Sequence, residues 1–561
     1  MRHTQAPALT ALLDAFFAWY YRTYPVNATF IGVHDSDHCL PDFSRDGRAR
    51  AREEVEDLRA RFRGLPDEAA DSAERLDRRV VEGALDVQAW ELTSRHFAEG
   101  NPCVYTGEAI FGVLSLLLRP FAPLTARLEA AASRLRAIPE LLAQGADAVT
   151  RAPAAWTARA IRECDAALAL LDRGLVVFLQ DEGADGGDLL RAAGEGAAAF
   201  RRFRAHLSAQ VEDDPGGVAC GPEAFGVLLR RGHFLRMDAA EVEASGRTHL
   251  AAAEQRLQEL AVDLGLPDWR TGLGRLADVR PSAETYYARF GQIWEAAKRA
   301  ADARGLVPWP DYPIRFVPQP RWVREAAPSL YFLFYRAPAA FDRVEVVDYL
   351  VTPIDPALPA EEQTARLRAM NESTIKLNHV IHHAGLGHHV QNWYAYHRAR
   401  SRVGQMAAVD CASRIALFCG GTMAEGWACY ATDLMEEAGF LTPLERLAHA
   451  HSSLRMAARA VADVRLHTGG WTLEETAGFY AETAALSEAA ARAEAVKNSM
   501  FPGTATMYLC GTQAIHDLRR RQQVRAGFSL REFHDRLLSY GSLPVALVAA
   551  EMADAPAAGS A

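Results

Sequence analysis

The sequence contains no uninterrupted apolar run near the roughly 20 residues that span a bilayer, which excludes a membrane-crossing helix. It has no excess of positive charge either: 61 Lys and Arg against 71 Asp and Glu leave a net charge of −10, with the two signs interleaved. Such a balance gives no electrostatic footprint for nucleic acid or for an anionic membrane surface. Cysteine is scarce, eight residues in 561 with no CxxC pair, which argues against a zinc ribbon or a disulfide framework and fits reduced thiols in a cytoplasmic protein. No self-similar period of roughly 20 to 50 residues appears, so a solenoid is not expected. The opening MRHTQAPALTALLDAFFAWYYRTY carries an apolar stripe interrupted by Asp14, with no small-residue cleavage site after it. It reads as an amphipathic helix and not as a signal peptide.

What is present is an ordinary soluble composition, 49% hydrophobic and 24% charged, with material for a large core. Apolar residues recur at three and four positions over Glu53–Phe97, Leu128–Leu142, Trp156–Leu175, Ala197–Val211, Ala239–Leu264 and Ser282–Arg304, and again over most of the chain after Pro359. This predicts a mainly α protein. A single large domain over 1–552 is expected, with a helical N-terminal part to 305 and a second part, 306–552, that holds the chemistry. Ala553–Ala561 reads as a disordered tail. Tyr24–Ser44 reads as a long ordered loop and Asp181–Gly196, rich in glycine and acid, as a mobile connection. Trp309–Pro353 is dense in proline and aromatic residues, and Ser329–Tyr335 and Val344–Val351 are strand-capable. A small sheet or hairpin is expected near 310–352, whose edge would hold a substrate backbone.

The chemistry points to one stretch. NHVIHHAGLGHHVQ, Asn378 to Gln391, carries five of the eighteen histidines: His379, His382, His383, His388 and His389. Imidazole is the commonest metal ligand and titrates near neutral pH. On a helix turning about 100° per residue, His379, His382 and His383 share a face, and His389 returns to it. His388 would point elsewhere unless Gly385 and Gly387 break the helix and swing it back towards His382. A second stretch, AEGWACYATDLMEEAGF from Ala424, sets Glu425 among small and apolar residues. An interior carboxylate needs a cation or a metal, and the histidine cluster is the candidate. Two histidines and a carboxylate from a later helix, with an open fourth position, form the usual catalytic zinc site.

The chain resembles the bacterial family catalogued as domain of unknown function 885, a largely helical, metallopeptidase-like family. The resemblance rests on His382, Gly387, His388, His389 and Gln391, then on Glu425, Gly426, Trp427, Ala428 and Tyr430. Arg459, Asp463 and His467 match the next run, followed by Pro502, Gly503, Tyr508 and Gly511 and by Phe533, His534, Asp535 and Leu538. PVNATFIGVHDSD, Pro25 to Asp37, resembles the N-terminal signature, so nearly the whole chain is covered. The resemblance implies a multi-helix, gluzincin-like fold and one divalent metal, zinc above others, held by His382, His388 and Glu425. His467 and Tyr508 would donate to an oxyanion. Arg519 and Gln391 are the candidate substrate contacts, with Asp463 orienting a histidine.

The departures are chemical. Where the family pattern has the glutamate that acts as general base, this chain has His383; Leu386 stands for the proline of its Pro-Gly pair, and Thr432, beside Asp433, for a later acid. Three substitutes are open: His383 as base, Glu372 as base, or His383 or His379 as a further ligand. The expected function is a cytoplasmic metal-dependent hydrolase of amide bonds in small peptides or acylated metabolites, acting on neither nucleic acid nor membrane. An iron or manganese oxidase on the same ligands, and a silent binding scaffold, are the alternatives.

Overall fold

Helices form where the apolar spacing predicts them, and local chemistry sets their starts. Ser44 accepts a hydrogen bond from the Gly47 amide, and Asp238, Thr442 and Thr472 each build a capping box with the glutamate three residues on. The computed structural model describes residues 7–66, 72–210, 212–330, 339–342, 344–406 and 421–554. The helices used below are α1 (Pro7–Thr23), α2 (Pro102–Leu117), α3 (Leu124–Ala148), α4 (Ala154–Ala169), α5 (Gly187–Gln210), α6 (Ala239–Asp263) and α7 (Tyr286–Ala303). After a π-helix at Thr374–Ala384 come α8 (His388–His397), α9 (Gly421–Glu437), α10 (Pro443–His467), α11 (Glu488–Met500) and α12 (Thr506–Gln523).

Every residue of α2 is buried, as expected of a helix apolar on all sides, and its lack of a polar face is why spacing alone does not single it out. α3 and α4 pack around it and α5 covers both. Two expectations are corrected in this half. Pro25–Ile31 is a helix, not loop: Pro25 supplies the first turn and all seven residues are buried. Most of the expected connection at 181–196 is the start of α5, because Leu189, Ala192 and Ala193 are buried against neighbouring helices despite the glycines.

In the second half α6 lies along α10, α9 along α12, and the π-helix sits between α7 and α9. The α9–α12 contact is close because two glycines face each other: a Cβ on Gly511 would lie 2.1 Å from the Thr422 carbonyl oxygen. One core cluster runs from Leu9 to Met552. The expected sheet is two short strands, β1 (Ile314–Pro318) and β2 (Val347–Val351), paired in parallel. A hairpin is therefore excluded for this pair, since parallel strands need a crossover. The strand expected at Ser329–Tyr335 lies largely outside the described residues, as does nearly all of the expected tail.

Candidate metal centre

The histidine stretch is two helical pieces joined by a turn. The π-helix ends at Ala384, and the chain reverses through Gly385, Leu386 and Gly387 before α8 begins at His388. The turn is pinned at three points. The Gly387 amide donates to Ile381 O (2.9 Å), Trp294 Nε1 to Ala384 O (3.0 Å), and Trp427 Nε1 to Leu386 O (2.8 Å). Only glycine fits at 387, because a Cβ there would lie 1.9 Å from the carbonyl oxygen of His382. As a result the last turn of one helix and the first residue of the next face each other, and the His382 and His388 rings sit 4.8 Å apart at 86°.

Glu425 reaches the pair from the first turns of α9. Its Oε2 is 3.2 Å from His382 Nε2 and 3.7 Å from His388 Nε2. Donors bound at about 2.0 to 2.1 Å around a tetrahedral ion stand about 3.3 Å from one another, so these spacings fit one metal. Ring nitrogens of His382, His383 and His388 lie within 4.8 Å of one another, and His383 donates from Nδ1 to Asn378 O (2.5 Å). In the neutral ring this puts the lone pair on Nε2. Burial alone would raise the Glu425 carboxyl, but His388, His382 and Lys497 outweigh it and hold the group at about 2. Burial lowers His388 to about 4 against the pull of Glu425. His383 is pushed well below its ordinary value by burial and by its neighbouring imidazoles. The centre is thus a carboxylate beside imidazoles of which His383 and His388 are pushed towards the neutral form by burial, the form in which a histidine binds a metal.

A cavity of about 640 Å³ ends at His382 and runs along α9 past Cys429 to Asp433, with His449, Arg455 and Asn378 also on its wall. Cys429 and Asp433 are four residues apart on one helix face, so the cavity follows the helix for about 6 Å at 1.5 Å per residue, and Glu425 lies one turn further on the same face. At its far end Asp433 receives His449 Nε2 (2.8 Å) on one oxygen and His516 Nε2 (2.7 Å) on the other. Burial favours the neutral acid there, but the two histidines prevail and bring Asp433 to about 2.

Of the residues singled out from sequence, His382, His383, His388 and Glu425 come together. The others are held elsewhere. His379 meets the Tyr349 hydroxyl through Nδ1 (2.5 Å) beside Phe290. His389 does not return to the His382 face, because it stacks on Tyr312 and donates to that residue's carbonyl (2.7 Å). Gln391 is fully buried and donates to Ser542 Oγ (3.2 Å) instead of lining the cavity. Both oxygens of Glu372, the alternative base, accept from Arg289 Nε at 2.8 Å. Arg519 pairs with both oxygens of Glu437 (3.0 and 2.8 Å), so its fork is already filled. His467, expected as an oxyanion donor, is wholly buried and donates to Asn498 O (2.9 Å). Burial and His96 push it to about 3.

Asp463 accepts from the Gly503 and Thr506 amides at the start of α12 (3.1 and 2.9 Å), with His467 Nε2 at 3.6 Å. Its chief contact is with backbone, and burial raises it to about 7. Tyr508 packs its ring under Arg459 (4.9 Å). Sequence reasoning missed His449, His516 and Arg455. Their signal would have been three polar residues on the buried sides of helices α10 and α12, which is invisible until the helix faces are known.

A family model described as a bacterial protein of unknown function (DUF885) matches residues 25–552. None of the curated proteins matches the chain. Two of the solved structures that share the fold are described by name. One is a candidate lipoprotein of unknown function from Shewanella oneidensis, with TM-score 0.76, 20% identity, and coverage of 97% of this chain and 100% of that one. The other is a candidate lipoprotein from Colwellia psychrerythraea, with TM-score 0.79, 16% identity, and coverage of 97% and 98%. Among the described residues, no helix is long and apolar enough to cross a membrane.

Proposed function

The chain belongs to the DUF885 family of bacterial proteins, and on that footing we propose that it is a metal-dependent hydrolase of amide bonds in small peptides or acylated metabolites. One observation carries the reading: His382, His388 and Glu425, from three different helices, converge, and His382 lines a cavity of about 640 Å³. They would hold one divalent ion, zinc above others, and the gluzincin-like character of the fold is part of this proposal. When bound, zinc supplies a Lewis acid for the scissile carbonyl and a water with a pKa near 7. The chain's own residues do the rest. Glu425 keeps its charge at physiological pH and holds His382 by a hydrogen bond, with His388 Nε2 beside it. His383, its Nδ1–H committed to Asn378 O, presents Nε2 as the atom that takes the proton from the attacking water and returns it to the leaving amine. The cavity admits a short substrate and excludes a folded one.

A second reading draws on the nearness of His383 to both ligand histidines. As a third imidazole it would complete a nitrogen-rich set that also suits iron or manganese and oxidative chemistry. The chemistry is independent of compartment. The six described cysteines are unpaired, which suits the cytoplasm expected from sequence, whereas both neighbours are named as candidate lipoproteins. The test is cleavage of a mixed di- and tripeptide library followed by mass spectrometry. The proposal expects cleavage that stops with a chelator and returns with zinc. Cleavage indifferent to chelator, or none with metal-loaded protein, contradicts it, and iron-dependent oxygen uptake would select the second reading.

A further inference from the structure

The same cavity holds an arginine that no described residue pairs with. Arg455, on α10, lines it beside His451, Ser452 and Met456. Among the described residues it makes neither a hydrogen bond nor an ion pair. The acid whose field it feels, Glu494, is bonded to Arg459 at 2.6 Å. Asp433, the acid among the described lining residues, has both oxygens occupied by His449 and His516. Burial and the neighbouring Arg459 both act against the charge on Arg455, yet a guanidinium does not give up its proton in a protein. A partly buried cation whose acid is committed to a second arginine gains from an anion that arrives to meet it. The planar fork matches a carboxylate through two parallel hydrogen bonds. Thr374, Asn378 and Gln513 supply neutral hydrogen-bonding groups on the same wall.

We propose that Arg455 anchors the free terminal carboxylate of a small peptide or N-acylated amino acid, whose amide bond then extends towards His382 and Glu425. This makes the protein one that acts at the carboxyl end of its substrate. The substrate class rests on the hydrolase reading; the carboxylate site itself does not.

The experiment compares N-acetyl-Ala-Phe as the free acid and as the terminal amide, by titration calorimetry with the full chain as purified. Both are followed for cleavage by mass spectrometry. The free acid is expected to bind about tenfold or more tightly than the amide, the scale of a charge-assisted hydrogen bond. Arg455→Gln is expected to abolish the difference, while Arg455→Lys retains part of it, circular dichroism confirming that both variants are folded. Equal affinity for acid and amide in the wild type, no binding of either, or a preference that survives Arg455→Gln overturns the proposal. If the preference is found with no metal-dependent cleavage, the anchor stands and the hydrolase reading falls. If acid and amide are cleaved at equal rates, the hydrolase reading stands and the anchor falls.

Discussion

His383 is the residue on which the chemistry turns. By the resemblance read from sequence it stands in place of a carboxylate, and burial together with the neighbouring imidazoles pushes it well below its ordinary value, so it is a proton acceptor of low basicity. Replacement by glutamate restores a carboxylate beside the two ligand histidines. His383→Glu is expected to raise the rate of amide hydrolysis by roughly ten- to a hundredfold, up to the lower end of what general-base catalysis contributes. A steady-state assay on the library's best substrate checks it. Loss of bound metal in this variant would instead mark His383 as a ligand. At this scale Glu425 was legible in the sequence, because a lone acid beside Gly426 and Trp427 in an apolar run has few ways to be stable in an interior. His467, His379 and His389 were not. Each is held through one ring nitrogen by a carbonyl or a hydroxyl from a distant segment, Asn498, Tyr349 and Tyr312 respectively, and no local spacing announces such a partner.

At the scale of elements, the site depends on the reversal between the π-helix and α8. Its glycines were legible as a break, since only a break returns His388 to His382. The winding of the first piece was not, because helix type is decided by how the turn is pinned by Trp294 and Trp427 from other helices. Gly387→Ala tests the turn directly. The new methyl meets the His382 carbonyl at 1.9 Å, so the turn must open and carry His388 away from Glu425. Metal affinity is expected to fall about tenfold or more, while the melting temperature drops by only a few degrees, the scale of about 1–2 kcal/mol. Zinc titration against a competing chelator and a thermal melt check the two halves. Unchanged affinity would show that the turn does not position the ligand. The parallel pairing of β1 and β2 was equally out of reach: strand propensity finds strands but not their direction, and β1 at Ile314–Pro318 has the proline of a segment that reads as loop.

For the whole molecule, one small cluster ties the N-terminal segment to a stretch more than 300 residues away. His34, stacked on Phe121 at 4.0 Å, places Nδ1 2.8 Å from Asp37 and Nε2 2.8 Å from Asp342. Burial lowers its affinity for a proton, but the two carboxylates prevail and raise it from 6.5 to about 9. A folded value above the unfolded one means that the charged cluster stabilises fully below about pH 6.5 and that this stability is lost as the pH rises through about 9. Because the ring is only half-buried, the effect is discounted to about 1–2 kcal/mol. His34→Gln should therefore lower stability at pH 6 and have little effect near pH 10, measured by urea unfolding at both values. An equal loss at both would assign the residue's contribution to packing. The mainly helical nature of the whole was legible from periodicity. That Leu9 and Met552 share one core was not, because no sequence pattern reports which helices meet.

The proposed chemistry depends on one ion shared by His382, His388 and Glu425. Metal content per chain, measured by mass spectrometry on tag-free protein after zinc supplementation and dialysis, tests this most directly. The wild type and the exposed-site control His397→Gln are predicted to retain about one zinc, whereas His388→Ala and Glu425→Ala retain almost none. A wild type that holds no metal, or a Glu425→Ala variant that holds as much as the control, would contradict it.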